Sequence, residues 1–170
     1  MILKCKKLVG TFFYVGCIPG APGTYGSLAT VLLLFLVRQR ADPFFATAYM
    51  PQFFLALLGL VLLGVWASSG AEEIYGCHDP SEVVIDEVAG QLISLAGITT
   101  VLGGLTAESL LLAFVLFRFF DIVKPWPVHR FERLPGGVGV MLDDVCAGVL
   151  AAVSIRIGAM VYGSIMSVIA

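Results

Sequence analysis

Three stretches of this chain bring acidic or basic side chains to the edge of an apolar run. His78 to Gln91 reads HDPSEVVIDEVAGQ and sets Asp86 and Glu87 at the mouth of an apolar helix. Gly136 to Gly148 reads GGVGVMLDDVCAG and sets Asp143 and Asp144 in the same way before another. Phe117 to Pro127 reads FRFFDIVKPWP, with Arg118, Asp121 and Lys124 spaced by three so that all share one helix face. Each stretch has a structural explanation. An acid in a first helical turn complements the helix dipole by about 0.3–1 kcal/mol. The Arg118–Asp121–Lys124 series makes an intrahelical ion-pair ladder, with Trp126 as interfacial anchor and Pro125 and Pro127 ending the helix. Capping explains less well why separate apolar segments deliver carboxylates to one membrane face. Hard oxygen ligands gathered there suit Mg²⁺, with Arg118 and Lys124 placed to grip a phosphate.

A fourth stretch, Ile18 to Ser27, reads IPGAPGTYGS and opens the first apolar segment. It lacks the G-K-[ST] ending of a P-loop. It reads either as a turn and helix cap, or as a helix N-terminus whose N–H groups, with Thr24 and Ser27, contact phosphate.

These residues need a scaffold, and the composition points to one in the bilayer. Of 170 residues, 59% are hydrophobic and only 13% charged, with a mean hydropathy of +0.98, far from the balance of soluble domains. One domain, 1–170, fits the length and the uniform character. Ten basic against twelve acidic residues leave no basic field for nucleic acid. Cys5, Cys17, Cys77 and Cys146 form no C-x-x-C pair, so neither a zinc site nor a disulfide framework is expected. Gly10 to Ser27, rich in glycine and proline, takes the place of a signal peptide's apolar core, so no cleavable signal is expected.

The uncharged apolar runs are Tyr25 to Val37, Phe44 to Ser69, Val88 to Gly104, Ala107 to Phe117 and Val145 to Ala170, the last interrupted by Arg156. Only the second and fifth are long enough to cross unaided; the others are expected to be tilted, re-entrant or packed among neighbours. The expected fold is an all-α, polytopic membrane bundle of about five apolar helices, some short or re-entrant. Five crossings from a cytoplasmic N-terminus put Lys4, Lys6, Lys7, Arg118, Lys124, Arg130 and Arg133 on or near the cytoplasmic face, with Arg38 and Arg40 outside. All four motif stretches then share that face. Arg156, deep in the last segment, reads as structural, either snorkelling or pairing with Glu108.

PGTYGS, DPSEVVIDEVAGQ, FRFFDIVKPWP and GVGVMLDDVCAG, in this order, resemble the phosphatidylglycerophosphatase A family over roughly Gly10 to Leu150. The resemblance implies a helical, multi-pass enzyme of the bacterial inner membrane with a cytoplasmic active site. It also implies Mg²⁺-dependent conversion of phosphatidylglycerophosphate into phosphatidylglycerol and inorganic phosphate. The family's acidic signature falls on Asp79, Asp86, Glu87, Asp121, Asp143 and Asp144, and its basic signature on Arg118 and Lys124. On that basis Asp86, Glu87 and one or both of Asp143 and Asp144 are expected to hold Mg²⁺. Asp121 is a further ligand or a general base, and a covalent aspartyl-phosphate is the mechanistic alternative to direct attack by water. The expected partner is a phospholipid substrate in the membrane, with no obligate protein partner evident. The chain lacks the PSGH-type two-histidine pattern, the DxDxT motif and the spaced aspartates of CDP-alcohol phosphotransferases. A phosphatase for another lipid, or a non-catalytic transporter or scaffold whose charges only pair and cap, are the other readings.

Overall fold

The computed structural model describes residues 1–77, 80–131, 134 and 136–169, and every regular element among them is helical. Asp79 and Arg133, both singled out above, lie outside the described residues, as does His78. The helices are α1 (Ile2–Gly10), α2 (Pro22–Ala41), α3 (Met50–Ser68), α4 (Ala71–Tyr75), α5 (Ile85–Ser94), α6 (Ile98–Leu102), α7 (Ala107–Val123), α8 (Val128–Phe131) and α9 (Gly136–Ile169). Short 3₁₀ turns at Asp42–Phe45 and Thr47–Tyr49 join α2 to α3.

Local chemistry sets most of the boundaries. Pro22 opens α2, where a missing N–H costs nothing. Thr106 caps α7 by accepting a hydrogen bond from the Ser109 N–H at 3.2 Å, and Lys124 ends it in the left-handed region with φ +44°, just ahead of Pro125. Two expectations are corrected here. The Val88 to Gly104 run is not one helix: α5 stops at Ser94 and Gly97, at φ +69°, turns the chain into α6. The last helix begins at Gly136 and not near Val145, so Asp143 and Asp144 lie two turns inside it and cap nothing. In the first turn of α9, Gly137 packs directly on the Val65 carbonyl and the Ser69 N–H at the end of α3, where a side chain would not fit.

Two elements are long and apolar enough to cross a membrane: 47–68, mean hydropathy 2.0, and Gly136–Ile169, mean hydropathy 1.9. Their outer faces expose large apolar side chains, Leu55 at 72% and Val168 at 86% among them, as expected of surfaces that meet lipid. The buried core, with Phe53, Leu95, Ile98, Leu110 and Ile155, lies between them and the shorter helices.

The main helices alternate in direction. At one end of the bundle meet the N-termini of α2 and α5, the C-termini of α3 and α7, and the first turns of α9. Here α1 lies against α3, its Lys6 Nζ donating to Ser69 Oγ at 3.0 Å. At the other end Asp42 Oδ1 accepts from Thr99 Oγ1 (3.0 Å) and the Leu105 N–H (2.7 Å), tying the end of α2 to α6 and to the segment entering α7.

At the α5–α6 break the Ala96 carbonyl needs a donor, and Arg156 supplies it. Its guanidinium donates to the Ala96 carbonyl through Nη2 and to the Ala152 carbonyl through Nη1 at 2.9 Å. Glu108 is exposed on the first turn of α7, and the expected alternatives of snorkelling or a Glu108 pair give way to a clamp on these two carbonyls. Arg156→Leu strands the Ala96 carbonyl at a cost of about 1–3 kcal/mol. Its thermal unfolding midpoint in detergent should fall, while Glu108→Gln should leave it in place; equal falls would restore the pair.

Candidate active site

The site is built on a close approach of two helices. α5 and α9 run side by side in the same direction, with backbone touching backbone at Gly90 and Gly148. A Cβ on Gly148 would stand 3.0 Å from the Cβ of Ile93 and closer still to the Gly90 carbonyl. A Cβ on Gly90 would strike both the Asp144 carbonyl and the Phe117 ring. This contact lets the acids one turn earlier on each helix face each other.

One oxygen from each of Asp86, Glu87 and Asp144 lies within 4.8 Å of the others. Asp86 is 7% and Asp144 4% exposed, so three like charges share a nearly dry space. Asp86 Oδ1 accepts from the Glu87 N–H at 3.1 Å, whereas Glu87 Oε2 and Asp144 Oδ2 are buried with no hydrogen-bond partner. Asp86 and Glu87 precede the apolar part of α5. Burial pushes the Asp86 carboxyl well above the usual carboxylate range, and the Glu87 and Asp144 charges push it further. Burial also raises Glu87, against the lowering pull of its hydrogen bond with Asp86 and of Arg118.

The cluster forms one wall of a cavity of about 290 Å³. Pro22, Gly23 and Thr24 of α2 line it, with Pro80, Ser81 and Val83 from the loop before α5, Arg118, Asp121 and Lys124 from the end of α7, and Asp143 of α9. Arg118 Nη1 lies 2.6 Å from Asp121 Oδ2 and 4.0 Å from Glu87 Oε1. Lys124 Nζ donates to Asp143 Oδ2 at 2.9 Å. The expected ladder is therefore only half intrahelical, because Lys124 sits at the left-handed end of α7 and reaches across to α9. Gly23 has no room for a side chain, since a Cβ there would collide with Glu87 Oε1 and lie 3.3 Å from Arg118 Nη1.

Of the residues singled out in the sequence, Asp86, Glu87, Arg118, Asp121, Lys124, Asp143, Asp144 and Thr24 all line this cavity. Ser27 does not. Its hydroxyl is fully buried and donates to the Gly23 carbonyl at 3.0 Å, one turn back in α2, which keeps from the cavity a group that the sequence reading set on phosphate. Three of the four expected metal ligands form the cluster, and Asp143 stands beside it on Lys124. Gly23, Gly90 and Gly148, which position the acids, carry no chemical signal of their own; the GQ and AG pairs closing two of the motifs are the only trace. Gln91, fully buried one turn below Glu87 with Oε1 unpartnered, was likewise not singled out.

Comparison with known proteins bears on the same residues. A family model described as Phosphatidylglycerophosphatase A matches residues 8–159. The chain belongs to this family. Among its relatives is a putative phosphatidylinositol-3-phosphatase of Bacteroides thetaiotaomicron, 39% identical over 156 residues, or 92% of this chain and 94% of that one. A phosphatidylglycerophosphatase A of Haemophilus influenzae is 39% identical over 154 residues (89% and 87%). That of Escherichia coli is 34% identical over 146 residues (85% and 78%). No solved structure matches. The match to the phosphatidylglycerophosphatase A model takes in every cavity-lining residue named above.

The unpartnered buried oxygens test what the cluster fits. Five carboxylates against Arg118 and Lys124 leave an excess of negative charge around the cavity. A hard divalent cation matches both this charge and the all-oxygen donor set. Without such an ion the cluster opposes folding. In metal-free detergent solution Asp144→Asn should therefore raise the unfolding midpoint by roughly 2–4 °C, the shift that about 1 kcal/mol makes in a chain of this size. A lowered midpoint would show that the carboxylate is satisfied without an ion.

Proposed function

We propose that this chain is a Mg²⁺-dependent phosphatase acting on the phosphate monoester of phosphatidylglycerophosphate, releasing phosphatidylglycerol and inorganic phosphate. The observation that carries the reading is the juxtaposition, in one cavity, of acids suited to a divalent cation with cations and helix N–H groups suited to a phosphate.

Asp86, Glu87 and Asp144 would hold the ion. Bound there, Mg²⁺ supplies positive charge against the phosphoryl oxygens and acidifies water. Arg118 brings a planar guanidinium whose buried Nε–H has no protein partner, so it has donor capacity left for a phosphate oxygen. The first N–H groups of α2, at Gly23 and Thr24, face the cavity from a helix N-terminus, where an anion is favoured. Lys124 adds charge from the opposite side, oriented by Asp143. Asp121 lies beside the three-acid cluster, anchored on Arg118, and serves as base for the attacking water. Water attacks phosphorus and gives a proton to Asp121, the bond from phosphorus to the glycerol oxygen breaks, and that oxygen takes up a proton from solvent water while Asp121 returns its own to solvent.

The membrane setting is part of the same proposal. Five runs of chain alternate in direction: α2, 47–68, the Val88 to Gly104 segment, α7 and α9. In this reading all five cross the bilayer, the short ones sheltered by the long. Lys4, Lys6, Lys7, Arg118, Lys124 and Arg130 stand on elements at the site end, and Arg38 and Arg40 at the far end, which orients the site toward the cytoplasm of a bacterial inner membrane. Cys5, Cys17 and Cys77 are exposed on elements near the site. A membrane-impermeant maleimide should label them in inverted vesicles and not in intact spheroplasts; the reverse pattern would invert the topology.

Purified protein should release phosphate from phosphatidylglycerophosphate only with Mg²⁺, and Asp86→Asn or Asp144→Asn should reduce kcat at least about 100-fold with the fold retained. Full activity in either variant would remove the metal assignment, and no release from the parent protein would favour a non-catalytic role. The Bacteroides relative's name makes phosphatidylinositol 3-phosphate the competing substrate. In a mixed assay phosphatidylglycerophosphate should be consumed first, and the opposite order would transfer the function to the inositol lipid.

A further inference from the structure

The cavity that holds the charged residues accounts for a phosphate and its immediate surroundings but offers nothing to a hydrocarbon chain. Resting on the phosphatase reading above, we infer that an acyl chain of the lipid substrate lies in the groove between α2 and α7.

This groove, of about 290 Å³, is lined entirely by apolar side chains, including Leu28, Leu32 and Phe35 of α2 and Ala107, Leu111 and Phe114 of α7. It starts where the charged cavity ends. Leu28 follows Thr24 by one turn of α2, and Phe114 precedes Arg118 by one turn of α7, so the same two antiparallel helices line both spaces. At the junction the helices are close, with Arg118 Nη1 3.3 Å from where a side chain on Gly23 would begin. From Leu28 to Phe35 the groove runs about 10 Å along α2, away from the site and into the bundle's depth. Its flank is open to the surroundings: Leu28 is 39% exposed, Leu32 53% and Leu111 61%, so a chain can slide in sideways from the bilayer while its phosphate enters the cavity.

A second apolar groove, about 450 Å³ among α6, α7 and α9, comes near the site on α7, at Leu116, but has no such continuity on its other wall. On α9 its nearest lining residue to the site, Ser154, lies ten residues past Asp144, about 15 Å along the helix. It serves as the internal control.

The test compares dipalmitoyl and dihexanoyl phosphatidylglycerophosphate in dodecyl maltoside micelles, with the full chain and variants that fill one groove or the other. Leu32→Trp and Leu111→Trp should each lower kcat/KM for the dipalmitoyl substrate about tenfold, while changing that for the dihexanoyl substrate by less than about twofold. The short-chain activity also reports that each variant is folded. Leu112→Trp, in the α7/α9 groove, should leave both values unchanged. Equal losses on the two substrates, no loss on either, or the same chain-selective loss from Leu112→Trp would each overturn the assignment while the parent enzyme remains active. A parent protein inactive on both substrates would instead overturn the phosphatase reading, and the groove assignment with it.

Discussion

Carboxylates buried side by side repel each other, and the rest of this structure is arranged around holding three of them together. Asp86 and Glu87 stand at the start of α5, and Asp144 stands two turns into α9. They meet because Gly90 and Gly148 let the two helices touch backbone to backbone. Any side chain at either glycine would part the helices and separate the acids. The result is a space with oxygen ligands in excess and two of those oxygens unpartnered. Such an arrangement is costly in an apo chain and becomes favourable with a divalent cation.

The other elements complete this center with opposite charge. α7 ends beside it and contributes Arg118 and Lys124, one tied to Asp121 on its own helix and the other to Asp143 on α9. α2 begins beside it and lines the cavity with its first turn, approaching closely because Gly23 has no side chain to hit Glu87. The acids and cations around the cavity thus come from three helices and a fourth lines it, and none of the four holds the whole arrangement.

The helices are unequal. Two elements are long and apolar enough to cross a membrane, while α5 and α6 are short and interrupted. An interrupted helix leaves carbonyls without donors, which hydrocarbon does not forgive. Arg156 resolves this by donating to the Ala96 carbonyl at the break, so a charge in the last segment has a backbone role and no share in the charged cavity.

The sequence by itself determined the helical, membrane-suited character of the chain and the identities of the charged residues. Both are properties of composition and local pattern: apolar runs need no partner to be recognised, and acids at the edge of such runs are conspicuous because charge is expensive there. It also carried the family, through four motifs in order. Tertiary structure decided which acids meet. That Asp144 joins Asp86 and Glu87 while Asp143 turns to Lys124 depends on the phase of α9, which starts at Gly136, well before the apolar run at Val145 that marks it in the sequence. Ser27 shows the same limit, since a hydroxyl one turn further along α2 bonds its own backbone and leaves the cavity to Thr24. Contact between helices far apart in the chain rests on the absence of side chains at Gly90 and Gly148, and an absence becomes informative only when the opposing surface is known.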